Sequence, residues 1–238
     1  SENKVLREWA FIALAFAAAI KGYPAIFGIL LIWEKRWKEA VRLIIYGVIF
    51  CFGPFAMIGT GFQYNITQWL VNLGENGKRY MYAQNPRFGY LYFLAQMEDV
   101  NTRDMWNDVL KIIFYILAIV GIIVISKQKT WWKKAAMLVS MIILLPTNSG
   151  FYCGLYLFPI VILFFNEEEH NWLDILYMLS MIVILNPFQL MTKKGANITL
   201  TAANIAMFVF AGLLLVDNIV NFIRVLIEQH RIKGALPD

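Results

Sequence analysis

A lysine lies inside an apolar stretch near the start of the chain. Residues 17–33 read AAAIKGYPAIFGILLIW, so Lys21 and the break Gly22-Tyr23-Pro24 interrupt a segment that otherwise has the composition of a membrane span. An ammonium at the centre of a bilayer costs about 2.5 to 3.5 kcal/mol on insertion scales, and glycine and proline continue a helix poorly. A cation at such a break could instead bind an anion such as a phosphate at the membrane surface.

Further basic residues occur in the polar stretch 60–108. It interleaves Tyr and Trp side chains with Lys78, Arg79, Arg87 and Arg103. Arginine binds phosphate through paired hydrogen bonds, and lysine binds it as a point charge. Each of these residues alone is more typical of a solvated loop, but their combination with a broken apolar segment favours a phosphate site. Lys21, assisted by Arg79 or Arg87, is the candidate cation.

Other site chemistries find little support. The two histidines, His170 and His230, are 60 residues apart and have no Cys or carboxylate at metal-ligand spacing. The chain has neither a glycine-rich phosphate loop nor a nucleophile elbow. The five acids of residues 60–108 read as ordinary solvating residues. We therefore expect no metal and no cofactor, and the catalytic residues are unknown.

Composition identifies a polytopic membrane protein. Hydrophobic residues make up 60% of the 238 residues, and mean hydropathy is +0.59, well above the level of soluble domains. The net charge of +5 comes from short clusters between apolar runs. This is the pattern of cytoplasmic loops in membrane proteins rather than of a nucleic-acid surface, so we expect no nucleic-acid partner.

Six apolar runs predict an all-α transmembrane bundle. They cover residues 9–33, 43–59, 112–126, 135–165, 172–190 and 201–223. Two of them are interrupted and hairpin-like: the first is cut by Lys21 to Pro24, and the fourth by Pro146-Thr147-Asn148-Ser149-Gly150. Pairs of interrupted segments point to a binding site, because irregular backbone in a membrane must line protein or water. The alternative for the second is a plain turn between two helices.

Basic clusters set the predicted orientation. Lys35 to Arg42, Lys127 to Lys134 and the C-terminal tail are placed in the cytoplasm. Residues 60–108 then form one long extracytoplasmic loop, the tips of both interrupted segments face the same side, and both termini are cytoplasmic. Residues 1–238 are treated as a single membrane domain.

The segment ALAFAAAIKGYPAIFGILLIWEKRW (13–37) resembles a recurring element of polyprenol-phosphate-dependent membrane glycosyltransferases of the C-type superfamily. It is most similar to the element of glycosyltransferase family 87, a mannosyltransferase-like group. That element joins a small-residue helix, a Lys-x-Tyr-Pro break and an apolar helix ending in a basic cluster with Trp. The matching residues are Lys21, Tyr23, Pro24, Lys35, Arg36 and Trp37.

Two weaker likenesses follow in the same order. NPRFGYLYFLAQ (85–96) resembles an outer-loop stretch of the family, with Arg87 where Ser is usual. LLPTNSGFYCGLYLFPIVILFF (144–165) resembles its outer tip and following helix, without the Trp and His often found there.

The resemblance implies that this chain is the C-terminal part of a larger enzyme in a bacterial plasma membrane. Such an enzyme is expected to move a sugar, mannose-like in character, from a polyprenyl-phosphate carrier to a glycan or glycolipid acceptor at the extracytoplasmic face, with membrane lipid around it. The expected base is a carboxylate in an outer loop upstream of Lys21. The candidate substrate-binding residues are Lys21, Tyr23, Arg79, Tyr82, Asn85 and Arg87. The alternatives are a lipid-linked sugar translocase or other transporter, and a noncatalytic membrane subunit.

Overall fold

The computed structural model describes residues 3–80, 87–146, 150–186, 190–191 and 197–234, with side chains except at 76–80 and 233–234. Within these residues the chain forms ten α-helices, two 3₁₀ helices and two isolated antiparallel bridges. It divides into two compact units, Ser1–Arg79 and Tyr80–Asp238. The predicted all-α helical membrane class is confirmed.

The first unit is built around an interrupted hairpin. Its elements are α1 (Lys4–Lys21), a 3₁₀ helix (Tyr23–Phe27), α2 (Gly28–Trp33), α3 (Trp37–Met57) and α4 (Phe62–Tyr80). Helices α1 and α2 pack against α3 around a small apolar core. The buried members of that core are Phe11, Ala15, Leu31, Ala40 and Leu43.

Helix α1 ends where Gly22 adopts φ +72° and ψ −56°, a region that only glycine occupies readily. Pro24 then falls in the first turn of the 3₁₀ helix, where its missing N–H has no partner to lose. The 18 residues of α1 extend about 27 Å, close to the thickness of a hydrocarbon core. Lys21 is therefore an exposed residue at a helix end, where its charge complements the helix dipole.

Ion pairs join the opposite end of this unit, which we call the Arg36 end. Glu39 on α3 pairs with Arg7 of α1 at 3.5 Å and also with Arg36. Glu8 pairs with Arg42 and accepts a hydrogen bond from the Tyr46 hydroxyl at 3.1 Å. Basic residues of the N-terminus and of the turn before α3 thus lie at one end, as a hairpin requires.

The second unit contains the remaining helices. They are α5 (Tyr90–Leu94), α6 (Val100–Ile125), α7 (Trp131–Leu144), a 3₁₀ helix (Phe151–Leu157), α8 (Phe158–Phe165), α9 (Trp172–Ile184) and α10 (Ile198–Gly234). The segment from α7 through the 3₁₀ helix to α8 repeats the order seen in the first unit: a longer helix, a break, a 3₁₀ helix and a short helix. Both interrupted segments predicted from the sequence are present.

Helices α7 and α10 form the core of the second unit. Every residue of α7 from Ala135 to Leu144 is buried. On α10 the buried apolar residues recur at alternating spacings of three and four, at Leu200, Ala203, Met207, Phe210 and Leu214. This spacing keeps one stripe of a helix against its neighbours, and α10 packs on α6, α7 and α9.

Three described helices are long and apolar enough to cross a membrane: Trp37–Met57, Val100–Ile125 and Ile198–Ile232. They cover all of the predicted run 201–223 and all but the last one or two residues of the runs 43–59 and 112–126. The run 172–190 forms a shorter helix than expected, since α9 ends at Ile184 after 13 residues. The stretch 60–108, expected to be a loop, holds α4, α5 and the first turns of α6.

We predict that Gly22→Ala lowers the free energy of unfolding by about 1 to 3 kcal/mol, because it forces a side chain into a left-handed backbone conformation. No atom lies within 4 Å of the position that a Cβ would take, so the loss comes from backbone strain alone. Thermal unfolding of the purified protein in detergent measures it.

The matched control is Gly47→Ala, in the middle of α3, where a Cβ also meets nothing within 4 Å. There alanine favours the helix, so stability stays equal or rises. Equal effects of the two substitutions would show that the conformation of Gly22 does not terminate α1.

Candidate functional site

The segment Arg87 to Gly89 is the meeting point of three parts of the second unit. Arg87 forms an antiparallel bridge with Gly150, which follows the break after α7. The same segment is bonded to α10 through Asn204. A short piece of extended chain, the break after α7 and the start of α10 are thereby brought together, and we call this the Arg87 end of the unit.

Asn204 supplies the hydrogen bonds that hold this segment. Its Nδ2 donates to the carbonyl oxygen of Arg87 at 3.0 Å, and its Oδ1 accepts from the N–H of Gly89 at 2.9 Å. Asn204 is fully buried. An extended segment buried among helices has no neighbouring strand to satisfy all its backbone groups, and a buried unsatisfied group costs about 1 to 3 kcal/mol. The Asn204 amide satisfies one donor and one acceptor.

Phe88 and Gly89 fit the segment closely to its surroundings. The Phe88 ring stacks on Phe151 with centroids 5.2 Å apart. Gly89 has φ +99°, and a Cβ there would lie 3.3 Å from the carbonyl oxygen of Leu144. Glycine is thus required both by the backbone conformation and by the closeness of the end of α7.

Arg87 is a buried cation at this meeting point, with 4% of its surface exposed. Burial lowers the pKa of its guanidinium, although arginine stays charged at neutral pH. In a medium of low dielectric constant, a positive charge interacts more strongly with an anion than it does in water. The position is therefore chemically suited to an anionic group.

An apolar cleft of about 140 Å³ lies between α6, α7 and α10. Its lining includes Leu144 and Leu145 at the end of α7. Gly89 packs against Leu144, and Arg87 forms its bridge with Gly150, which follows the break after that helix. The lining residues are Phe114, Leu117, Ala118, Met137, Ser140, Met141, Leu144, Leu145, Phe208, Ala211, Gly212 and Leu215. The Ser140 hydroxyl is already bonded to the carbonyl oxygen of Ala136 at 2.8 Å, so the cleft offers mainly apolar surface to a hydrocarbon chain.

A second polar cluster lies at the other end of α10, which we call the Asp217 end. The Asp217 carboxylate accepts from Lys133 Nζ at 2.7 Å and from the Tyr177 hydroxyl at 3.3 Å. Beside it, Gln128 donates to Asn218 at 2.9 Å. The thirteen residues from Asn204 to Asp217 separate the two ends by about 20 Å. The sequence showed Asp217 but gave no sign of its partners.

The structure describes only part of the predicted site. Lys21 and Tyr23 lie together at the break after α1, in the first unit, with Lys21 exposed and Tyr23 half-buried. Arg87 lies in the second unit. The side chain of Arg79 and the whole of Tyr82 and Asn85 lie outside the described residues. Asn204 was missed, and its one sequence signal is an amide inside a largely apolar helix.

These features define a helical integral membrane protein with broken apolar helices and, in its second unit, a buried cation beside one of the breaks. A match to a family model makes the class more specific: residues 2–147, more than half of the chain, match the model described as glycosyltransferase family 87. The chain belongs to glycosyltransferase family 87, and so to the membrane glycosyltransferases. No curated protein and no solved structure matches the chain.

We predict that Asn204→Ala lowers the free energy of unfolding by about 2 kcal/mol or more, because it leaves the Arg87 carbonyl and the Gly89 N–H without their bonds. Hydrogen exchange of residues 87–92, followed by mass spectrometry, should accelerate.

Asn221→Ala is the matched control, since Asn221 is an asparagine on the same helix that donates to the carbonyl oxygen of Lys127 at 3.4 Å. It should leave exchange at residues 87–92 unchanged. Unchanged exchange in Asn204→Ala as well would contradict the role given to Asn204.

Proposed function

We propose that this protein transfers a hexose, mannose-like in character, from a polyprenyl-phosphate carrier to a glycan or glycolipid acceptor at the extracytoplasmic face of a bacterial plasma membrane. The observation that carries the proposal is the buried Arg87, two residues before Gly89, whose backbone packs against Leu144 in the lining of an apolar cleft. A polyprenyl phosphate has the matching chemistry, with an anionic head joined to a long hydrocarbon chain. Membership of glycosyltransferase family 87 supports the reaction class.

In the proposed reaction an acceptor hydroxyl attacks the anomeric carbon of the donor sugar. The bond from that carbon to the phosphate oxygen breaks, the hydroxyl proton passes to a carboxylate base, and polyprenyl phosphate leaves with both electrons of the broken bond. The anomeric configuration is inverted. The family resemblance gives the role of base to a carboxylate in an outer loop upstream of Lys21.

Arg87 would stabilise the charge that develops on the leaving phosphate. A fixed cation in a site without bulk water needs little reorganisation when that charge appears, which is why such groups contribute strongly to catalysis. Lys21, at the end of α1, is also proposed to bind phosphate, as a point charge. Tyr23 and Tyr82 are proposed to line the sugar or lipid, with Arg79 and Asn85 also near the substrate.

One observation bears on the translocase alternative. Transport predicts opposite charges facing each other inside the bundle, and Lys133 and Asp217 are such a pair. However, Lys133 lies in the first turn of α7, and Asn218 beside the pair contacts Gln128 in the turn before that helix. The pair thus ties together helix ends, and this position favours a packing role.

We predict that this protein together with the outer loop that supplies the base, in liposomes with a polyprenyl-phosphate mannose donor and a glycolipid acceptor, transfers sugar, and that Arg87→Gln lowers the rate by about 100-fold, the loss typical of removing one charge-stabilising group. Lys21→Met should also abolish transfer while leaving membrane insertion and expression intact. Transfer of radiolabelled sugar is the measurement.

Lys38→Met is the matched control for charge, because Lys38 is an exposed lysine at the Arg36 end of the first unit; its transfer rate should equal that of the parent. Full activity of Arg87→Gln would contradict the proposal. Movement of labelled lipid-linked sugar across the vesicle membrane, without transfer, would favour a translocase.

A further inference from the structure

We propose that α4 lies in the plane of the membrane surface, with one apolar face inserted at the boundary between lipid headgroups and acyl chains. The occupant of this face is therefore the lipid bilayer itself. The face, which we call the α4 stripe, consists of Phe62, Ile66, Trp69, Leu70 and Leu73.

The stripe follows from helical periodicity. Its members are spaced by four, three, one and three residues, which places them within about a third of the circumference of an α-helix. The opposite face is more polar: it carries Gln68, Asn72 and Glu75, with Val71 and Tyr64 among them. A helix with strongly separated faces and low overall hydrophobicity is the kind that binds at a membrane surface.

The α4 stripe is largely uncovered within the first unit. Leu70 and Leu73 are 55% and 57% exposed, and Phe62 is also exposed. From Phe62 to Glu75, Asn65 is the sole buried side chain. Exposing large apolar side chains to water costs about 25 cal/mol of free energy per Å² of apolar surface. The α4 stripe is therefore more stable in an apolar environment.

The start of α4 is fixed to the end of a membrane-length helix. Asn65 Nδ2 donates to the carbonyl oxygens of Phe55 and Ile58 at 2.9 and 3.3 Å. These carbonyls belong to the last turn of α3 and its cap, where helical partners are missing. The Trp69 ring also packs on Phe55, with centroids 5.7 Å apart. The stripe thereby lies beside the last turn of α3, a helix long and apolar enough to cross a membrane.

Crossing the bilayer is a poorer solution for α4. The polar face would place Gln68 and Asn72 in hydrocarbon, where polar groups are expensive. At the interface, those residues reach water while the stripe reaches acyl chains. Trp69 also suits this depth, because tryptophan is enriched at membrane–water interfaces.

Site-directed spin labelling tests the proposal on the full chain. Leu70→Cys and Leu73→Cys place labels on the stripe, and Gln68→Cys and Val71→Cys place matched labels on the opposite face. The labelled proteins are reconstituted into vesicles of phosphatidylcholine and phosphatidylglycerol. Cys51 and Cys153 stay in place, and the signal of the labelled parent protein is subtracted. Relaxation by oxygen, which concentrates in lipid, is compared with relaxation by a water-soluble nickel complex.

The expected result is an oxygen-to-nickel accessibility ratio severalfold higher at residues 70 and 73 than at residues 68 and 71. Equal, nickel-dominated accessibility on both faces would place α4 in water and overturn the proposal. Stripe labels that are immobilised and shielded from both reagents would also overturn it, because protein rather than lipid would then cover the face. None of these positions belongs to the proposed catalytic site, so sugar transfer and this result can succeed or fail separately.

Discussion

The hydrogen bonds of the Asn204 side chain are the interaction on which the proposed site depends. In a bilayer-embedded protein, every backbone group outside a regular helix needs a partner within the protein or a water-lined space. Asn204 meets that need for Arg87 and Gly89, from a fully buried position on the longest described helix. Because these bonds fix the backbone at Arg87, they also determine the position of its positive charge in the interior of the unit.

Each unit has a break in an apolar helix with a cation near it, but one cation is exposed and the other is buried. In the first, α1 stops at a glycine with positive φ, and the cation Lys21 occupies the helix end, where it needs no burial. In the second, the break after α7 is bordered by the Arg87 bridge, and the cation is buried. An exposed lysine suits capture of an anionic headgroup, whereas a buried arginine suits stabilisation of charge during bond cleavage.

Long-range polar contacts could not be predicted from the sequence, and the amphipathic helix α4 was overlooked in it. Long apolar runs in the sequence predicted the helices α3, α6 and α10. The glycine and proline of residues 22–24 predicted the break at Gly22. Helix α4 was missed because its stripe is diluted by polar residues when hydropathy is averaged over a window. The contacts of Asn204 with Arg87 and of Asp217 with Lys133 were missed because these residues are 117 and 84 positions apart along the chain. The composition of a local stretch contains no information on such distant pairs.

We propose that Arg87 recognises the phosphate of a polyprenyl carrier. This recognition can be measured by equilibrium binding of a polyprenyl monophosphate and of the corresponding polyprenol in phosphorus-free maltoside micelles. We expect the parent protein to bind the monophosphate more tightly than the alcohol, and we expect this preference to disappear in Arg87→Gln while binding of the alcohol is unchanged. A preference that persists in Arg87→Gln would contradict it.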